Sequence, residues 1–192
     1  MGNTQLTAGL TEDTLDDYVD LTYLSKAEIL YLLKRFHSIG PELMNYDFNY
    51  RFPREAVVEK FPVLKFNPFQ DRIFHVFSSK KDNCFSFEDM LDLCSVMSND
   101  CPDTVKASWA FRIFDLDDDK QINIEDLCET IDRLTWDRTD PTKFIENSDK
   151  VKIATILLNE MDLQYIGSLG PIEFNHLITK MPEFKNSFYF KL

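Results

Sequence analysis

The stretch DLDDDKQINIED, residues 115–126, decides how the rest of the chain is organised. It places Asp115, Asp117 and Asp119 at alternate positions of one polar loop and the apolar Ile122 at the eighth position. Three carboxylates at this spacing repel one another unless a cation lies between them. The pattern therefore predicts a loop that binds a divalent metal ion.

Two other twelve-residue stretches, 78–89 and 162–173, repeat this pattern with Phe85 and Leu169 at the eighth position. Apolar residues at i, i+3, i+4 and i+7 flank the stretches, which places them on one face of a helix. Helix, twelve-residue loop and helix, repeated along a chain, define the EF-hand unit. The eighth-position residues of paired loops are expected to meet across short two-stranded ladders.

A fourth unit is expected, because the apolar face of one unit needs that of another to bury it. Its helices should lie near residues 25–36 and 54–61, joined by a segment too long and too poor in carboxylates for a regular loop. The fold class is therefore all-α, with four EF-hand units in two paired lobes, an extra N-terminal helix and a C-terminal tail. The expected domains are an N-terminal lobe with two degenerate EF-hands (1–98), a C-terminal lobe (99–181) and the tail (182–192).

Calcium takes oxygen ligands from loop positions 1, 3, 5, 7, 9 and 12. In the 115–126 loop these positions are Asp115, Asp117, Asp119, Gln121, Asn123 and Asp126. Lys120 stands at position 6, where Gly is usual because φ is positive, and it weakens the site. Asp126 is one methylene shorter than the usual Glu, which lowers the coordination number toward six. The site is therefore expected to accept Mg²⁺ as well as Ca²⁺.

The other two loops are poorer in ligands. The 162–173 loop, which is the fourth along the chain, offers four weak metal candidates: Asp162, Gln164, Ser168 and Glu173. It is expected to be degenerate, because Ile166 at position 5 has no oxygen to give. In the 78–89 loop, Lys80 and Lys81 stand among the ligand positions and are expected to keep the loop empty of metal.

Composition narrows the class of protein. The net charge of −12 argues against a nucleic-acid partner and suits a metal cation or a basic protein segment. His37, His75 and His176 are scattered without a nucleophile and base arrangement, and no phosphate-binding glycine motif is present, so we expect no enzymatic activity. The 4 Cys lack zinc spacing and suit a reducing compartment, which together with the absence of a signal peptide predicts a cytoplasmic protein.

The first residues, MGNTQL, make Gly2 a candidate for N-myristoylation, although Leu6 stands where the usual pattern has Ser or Thr. A single acyl chain gives only reversible membrane binding. The sequence thus allows peripheral association with the inner face of the plasma membrane.

Three segments, NPFQDRIFHVFS (67–78), WAFRIFDLDDD (109–119) and MPEFKNSFYFKL (181–192), resemble the calcium- and integrin-binding protein family, as does the MGN start. The resemblance runs in register over essentially the whole chain. It implies a helical, non-catalytic adaptor with metal in the third and fourth EF-hands. Such proteins bind an amphipathic segment, such as an integrin α cytoplasmic tail or a cytoplasmic part of a mechanosensory channel-like protein. Gln164 and Ile166 depart from the family pattern at the fourth site.

Open EF-hand lobes expose an apolar groove that takes an amphipathic helix, and the acidic surface predicts a partner that is basic around its apolar stripe. The expected groove residues of the C-terminal lobe are Phe111, Phe114, Leu127, Ile131, Leu134, Leu157, Leu158, Leu177, Ile178 and Met181.

The tail carries Phe184, Phe188 and Phe190 beyond the last EF-hand. It is either a terminal segment packed on the body or a movable segment that covers the groove until a partner displaces it. The resemblance supports the second interpretation as well.

Two other functions share the four-EF-hand frame. One is a regulatory subunit of an enzyme, similar to the calcineurin B chain, which would co-purify with a catalytic chain. The other is a metal buffer, which should keep strong ligands in several loops, whereas only the 115–126 loop is intact here.

Overall fold

A computed structural model describes residues 5–7, 9–136, 144–161, 166–181, 183–184 and 188. These residues form eleven helices and four short strands. The helices are α1 (Glu12–Leu21), α2 (Lys26–His37), α3 (Pro41–Tyr46), α4 (Arg54–Lys60), α5 (Pro62–Lys65), α6 (Gln70–Phe77), α7 (Phe87–Val96), α8 (Asp103–Phe114), α9 (Ile124–Thr135), α10 (Asn147–Met161) and α11 (Pro171–Ile178). The strands are β1 (Gln5–Thr7), β2 (Leu10–Thr11), β3 (Phe52–Pro53) and β4 (Cys84–Phe85).

The all-α class predicted from the sequence is confirmed, including the extra N-terminal helix α1. The helices expected near 25–36 and 54–61 are α2 and α4, and α3 lies in the long segment between them. The antiparallel pair β1 and β2 was missed, because the N-terminal residues carry no alternating apolar pattern.

Helices α7 and α9 each begin with a reciprocal cap built from positions 9 and 12 of the preceding loop. Ser86 caps α7 while its own N–H donates to the Asp89 carboxylate, 2.9 Å away. Asn123 and Asp126 form the same capping box at the start of α9. Such boxes satisfy N–H groups that have no partner within the helix. The two loops therefore end on the same local hydrogen bonds, whatever ion they hold.

The eighth-position residues meet across the expected ladders. Phe85 pairs with Phe52 in the antiparallel β3–β4 pair. Ile122 and Leu169 form an isolated antiparallel bridge, each N–H donating to the other's carbonyl at 2.9 Å. Both bridges confirm the predicted pairing of loops.

The chain divides into two compact units, one within residues 1–102 with 188–192, the other within 103–187. In the first unit the core is aromatic: Phe36, Phe74, Phe85 and Phe87 are all fully buried. Phe74 and Phe85 stack with ring centroids 4.2 Å apart. Burying a side chain of this size stabilises a fold by about 1.5–3 kcal/mol, so these four rings dominate the packing of the first unit.

The second unit has a smaller core. Phe111 on α8 meets Phe174 on α11 edge to face, with ring centroids 5.6 Å apart. Ala154 and Leu158 form the buried face of α10. Among the described residues, no helix has both the length and the apolar character needed to cross a bilayer.

Candidate metal centre

The 115–126 loop brings three carboxylates together between α8 and α9. One oxygen from each of Asp115, Asp117 and Asp119 lies within 4.8 Å of the others. Backbone N–H groups orient the three side chains: Lys120 N donates to Asp115 Oδ2 (3.1 Å), Asp119 N to Asp117 Oδ1 (3.1 Å) and Gln121 N to Asp119 Oδ1 (2.7 Å). The loop thus holds the predicted ligands at positions 1, 3 and 5 around one point.

Two residues of this loop have left-handed backbone, Asp118 with φ of 61° and Lys120 with φ of 70°. The value for Lys120 confirms the conformation predicted for the sixth position. A non-glycine residue in this region costs about 1–2 kcal/mol, so the loop closes around its carboxylates against backbone strain.

Asp126 at position 12 is buried, and both of its oxygens accept backbone hydrogen bonds. Leu116 N donates to Oδ1 at 2.9 Å and Asn123 N donates to Oδ2 at 3.1 Å. Burial raises the pKa of Asp126, and the neighbouring Asp117 and Asp119 raise it further, whereas these N–H groups lower it.

Burial also raises the pKa of Asp115, which Asp118, Asp119 and Asp126 raise further by charge repulsion. Asp115 and Asp126 therefore lie in a setting that disfavours their charged forms. A bound divalent cation would relieve that repulsion, so the residues present fit a metal ion at this position.

The other two predicted ligands have additional roles. Asn123 Oδ1 accepts from Glu125 N at 2.9 Å and from Asp126 N at 3.2 Å, so its side chain caps α9. An oxygen engaged in this way would reach a metal most easily through water, as position 9 often does. The side chain of Gln121 accepts from the Ser168 hydroxyl at 2.9 Å, which leaves its backbone carbonyl as the predicted ligand.

The fourth loop is only partly described, because Asp162 and Gln164 lie outside the described residues. Ser168 donates its hydroxyl to Gln121 of the sister loop, as described above. Glu173 Oε2 accepts from Gly170 N at 3.3 Å, and no described residue hydrogen-bonds its buried Oε1. The described part of this loop therefore offers one carboxylate toward a metal.

The 78–89 loop contains a cation that the sequence pattern did not identify. The guanidinium of Arg51 forms ion pairs with Asp82 and Asp89 of this loop, at 2.9 and 2.8 Å. The lysines play another part: Lys80 is exposed, and Lys81 Nζ donates to the His75 carbonyl at 2.8 Å. The cation that pairs with the carboxylates of the loop is therefore Arg51 and neither lysine, and the prediction that the loop holds no metal stays a prediction.

The loop pattern does not identify Arg51, because this residue lies 27 residues before Ser78, outside the loop itself. The signal that could have identified Arg51 is the expected strand pairing at the eighth position of the loop. Pairing Phe52 with the eighth-position Phe85 brings the residue before Phe52 beside the loop.

The residues predicted to line the partner groove differ in exposure. Phe111 and Leu158 are buried, and Phe111 packs on Phe174, so their place in a partner groove stays a prediction. The partly exposed members are Phe114, Leu127, Ile131, Leu177 and Ile178. The exposed members are Leu134, Leu157 and Met181.

Helix α10 has a second apolar face that is open to solvent. Ile153, Ile156 and Leu157 follow i, i+3, i+4 spacing and are 40%, 58% and 38% exposed. Trp136 and Phe144, which precede α10 in the chain, are exposed as well. A helix with apolar residues on both its buried and its open face usually contacts a further partner. We call Ile153, Ile156 and Leu157 the open face of α10.

Two groups of predicted residues are only partly described. Gly2 and Phe190 lie outside the described residues. Phe184 N donates to the Met181 carbonyl at 3.1 Å, and Phe188 belongs to the first unit. Both interpretations of the tail stay predictions.

The whole chain is similar to curated proteins of known sequence. It is 35% identical over 198 aligned residues to calcium and integrin-binding family member 2 of Drosophila melanogaster. It is 34% identical to member 2 and 32% identical to member 3 of Homo sapiens, each over 196 aligned residues. All three alignments cover 100% of both chains. No protein-family model matches the chain.

Proposed function

The chain belongs to the calcium and integrin-binding family, and from this premise we propose that it is a non-enzymatic EF-hand adaptor. It binds a divalent cation in the 115–126 loop and docks an amphipathic segment of a membrane protein. The observation that carries the proposal is the cluster of Asp115, Asp117 and Asp119, whose carboxylate oxygens lie within 4.8 Å of one another. Its relatives are named for binding calcium and integrin.

The metal would be held by Asp115, Asp117, Asp119, the Gln121 carbonyl and Asp126, with Asn123 acting through water. When bound, it supplies positive charge that neutralises these carboxylates and ties α8 to α9. The short Asp126 side chain, whose oxygens both already accept N–H bonds, favours a low coordination number. The site therefore accepts Mg²⁺ as well as Ca²⁺.

The partner docks on the second unit, against the open face of α10 and the exposed Leu134 and Trp136. It is an amphipathic helix with basic flanks, because the net charge of the chain is −12 and the exposed face is apolar. A cytoplasmic tail of an integrin α chain or a cytoplasmic part of a mechanosensory channel-like protein has this character. The adaptor would then act in the cytoplasm, at the inner face of the plasma membrane.

Calorimetric titration of the full chain with Mg²⁺ and then with Ca²⁺ tests the metal part. We expect one tight cation site that takes either ion, and loss of that site in Asp115→Ala. Asp13→Ala is the matched control, because Asp13 is an exposed carboxylate on α1. Unchanged binding in Asp115→Ala would contradict the assignment of the loop.

Binding of a fluorescent integrin α tail peptide, followed by anisotropy, tests the partner part. We expect Ile156→Glu to weaken binding at least tenfold, because a charge would enter the apolar contact. Ile172→Glu is the control, because Ile172 is 85% exposed on a different helix. Equal binding by both variants would contradict docking at α10, and stable co-purification with a catalytic chain would favour a regulatory subunit instead.

A further inference from the structure

The guanidinium of Arg51 lies among the acidic groups of the 78–89 loop. Its Nε donates to Asp82 Oδ2 at 3.0 Å and its Nη2 to Asp82 Oδ1 at 2.9 Å, which is the two-point contact that a planar guanidinium makes with a carboxylate. Its Nη1 donates to Asp89 Oδ2 at 2.8 Å. Arg51 and Asp89 are 13% and 3% exposed, so this contact is shielded from water.

The same guanidinium also binds the neutral oxygens of the loop. Nη2 donates to the Ser78 hydroxyl at 2.9 Å and to the Cys84 carbonyl at 2.7 Å. Nη1 donates to the Ser79 hydroxyl at 2.9 Å. One cationic group therefore contacts side chains and a backbone carbonyl from both ends of the loop.

These contacts reproduce the ligand positions of an EF-hand. Ser78, Asp82, Cys84 and Asp89 stand at loop positions 1, 5, 7 and 12. A metal-binding loop uses oxygens from the same four positions, and position 7 contributes its backbone carbonyl in both cases. The corresponding residues of the candidate metal loop are Asp115, Asp119, Gln121 and Asp126.

The backbone of the 78–89 loop also follows that of the candidate metal loop. Positions 4 and 6 have positive φ in both: 55° and 56° at Lys81 and Asn83, against 61° and 70° at Asp118 and Lys120. Two strained residues at matched positions of each loop show that the two loops share one closed conformation.

Three hydrogen bonds recur between matched positions of the two loops. Position 2 N–H donates to the position 12 carboxylate at 3.0 and 2.9 Å, and position 9 N–H donates to the same group at 2.9 and 3.1 Å. Position 7 N–H donates to the position 5 carboxylate at 3.0 and 2.7 Å. The position 12 residues are Asp89 and Asp126, and the position 5 residues are Asp82 and Asp119.

We propose that the 78–89 loop is a cation site whose cation is the chain's own Arg51 guanidinium, which keeps the loop closed without metal. At its ligand positions this loop has two carboxylates where the candidate metal loop has four, so a single positive charge is adequate. Arginine stays protonated at any physiological pH and cannot be removed by a chelator. The first unit is therefore indifferent to Ca²⁺ and Mg²⁺, and the inference does not depend on the proposed partner.

Nuclear magnetic resonance of the wild-type chain tests the proposal directly. We expect a slowly exchanging Arg51 Nε–H signal that is the same in chelator, in Mg²⁺ and in millimolar Ca²⁺. Loss of this signal on adding either ion, with shifts of the loop amides, would mean that metal displaces the guanidinium and would overturn the proposal.

Removing the guanidinium should expose the cation site. In chelator we expect Arg51→Ala to lower the Tm of the first unit by more than about 8 °C, because the buried carboxylate of Asp89 loses its charged partner and Asp82 loses a two-point contact. We also expect calorimetry to find one additional weak Ca²⁺ site, whose occupancy restores part of the lost Tm. Unchanged Tm in chelator, or no additional site in a folded variant, would overturn the proposal.

Two further variants test whether the planar set of N–H donors of Arg51 is needed or whether any positive charge is enough. Arg51→Lys keeps the charge but not the planar donors, so we expect an intermediate loss of Tm and no additional Ca²⁺ site. Arg54→Ala is the matched control, because Arg54 pairs only with the exposed Glu55 at 3.5 Å among the ion pairs described, and we expect no change in either measurement. A Tm loss in Arg54→Ala equal to that in Arg51→Ala would also overturn the proposal.

Discussion

The loops 78–89 and 115–126 have nearly the same backbone but differ in the cation that suits them. Both have left-handed residues at positions 4 and 6 and the same capping box at positions 9 and 12. The first contains the guanidinium of Arg51, whereas the second brings carboxylate oxygens of Asp115, Asp117 and Asp119 within 4.8 Å of one another, an arrangement that suits an exchangeable ion. A closed EF-hand loop therefore does not by itself indicate metal binding, because a side chain can supply the positive charge.

The two units that contain these loops also differ in how they bury apolar side chains. The first unit encloses four fully buried phenylalanines, whereas the second leaves Ile153, Ile156 and Leu157 exposed. A unit with a large buried aromatic core and a guanidinium in its loop is suited to be a rigid scaffold. A unit with a cluster of carboxylates and an open apolar face is suited to bind a partner.

The largest expected effect lies in the core of the first unit. Phe74→Ala removes a fully buried ring stacked on Phe85, and we expect it to lower the free energy of unfolding of this unit by about 3–5 kcal/mol. Urea unfolding with and without Mg²⁺ measures it, with Tyr46→Ala as the exposed control. If the loss depends on Mg²⁺, the first unit is not indifferent to metal.

The buried and the exposed face of α10 should contribute differently to the free energy of unfolding. Leu158→Ala empties a buried position and should lower the free energy of unfolding of the second unit by about 2–5 kcal/mol. Ile156→Ala removes an exposed side chain and should change it by less than about 0.5 kcal/mol. Equal losses in thermal unfolding would show that the open face of α10 is covered by the chain itself.

Metal should stabilise only the second unit. At a Mg²⁺ concentration one hundred times its Kd, we expect the free energy of unfolding of this unit to rise by about 2.7 kcal/mol. Asp115→Asn should remove the increase, because it takes one charge from the carboxylate cluster. Hydrogen exchange, measured with and without Mg²⁺, reports on the two units separately. An equal increase of protection in both units would contradict the expectation that metal stabilises only the second.

A longer side chain at position 12 should raise the affinity for Ca²⁺ in the 115–126 loop but not in the 78–89 loop. Asp126→Glu adds reach for a second oxygen, and we expect Ca²⁺ affinity to rise about tenfold, or about 1.4 kcal/mol. Asp89→Glu is the matched change in the 78–89 loop, where Arg51 already pairs with the carboxylate. Calorimetry should therefore find no gain of Ca²⁺ binding in Asp89→Glu, and a gain there would show that the guanidinium does not block metal.

The smallest expected effect is on acid titration. The hydrogen bond from Arg51 holds the pKa of Asp82 well below its usual range, and further hydrogen bonds from Cys84 N and Ser78 add to this. Because the folded pKa is depressed, this contribution to stability is present above about pH 3.9 and is lost as pH falls through the lower folded value. Carbon NMR of the Asp82 carboxyl should show this, and Arg51→Lys should raise its pKa.

Much of the fold follows from local patterns that a sequence displays directly. The 3.6-residue repeat of apolar side chains and the twelve-residue spacing of loop ligands lie within short segments, so the helices around each loop and the Ile122–Leu169 bridge were predictable. The clustering of the three carboxylates at alternate positions was predictable for the same reason. Exposure within the second unit was not, because each stripe of apolar residues looks the same whether it faces a core or a partner.

The sequence by itself determined that residues 115–126 form a loop with carboxylates at alternate positions in a helical frame of four EF-hands, because ligand spacing and helical periodicity are properties of neighbouring residues. Only the tertiary structure decided that Arg51 supplies the cation of the 78–89 loop and that Asn123 also caps α9. It also decided that Leu158 is buried while Leu157, the residue before it, is exposed. These outcomes depend on which distant segments meet, and the β3–β4 pairing that carries Arg51 to its loop is such a contact.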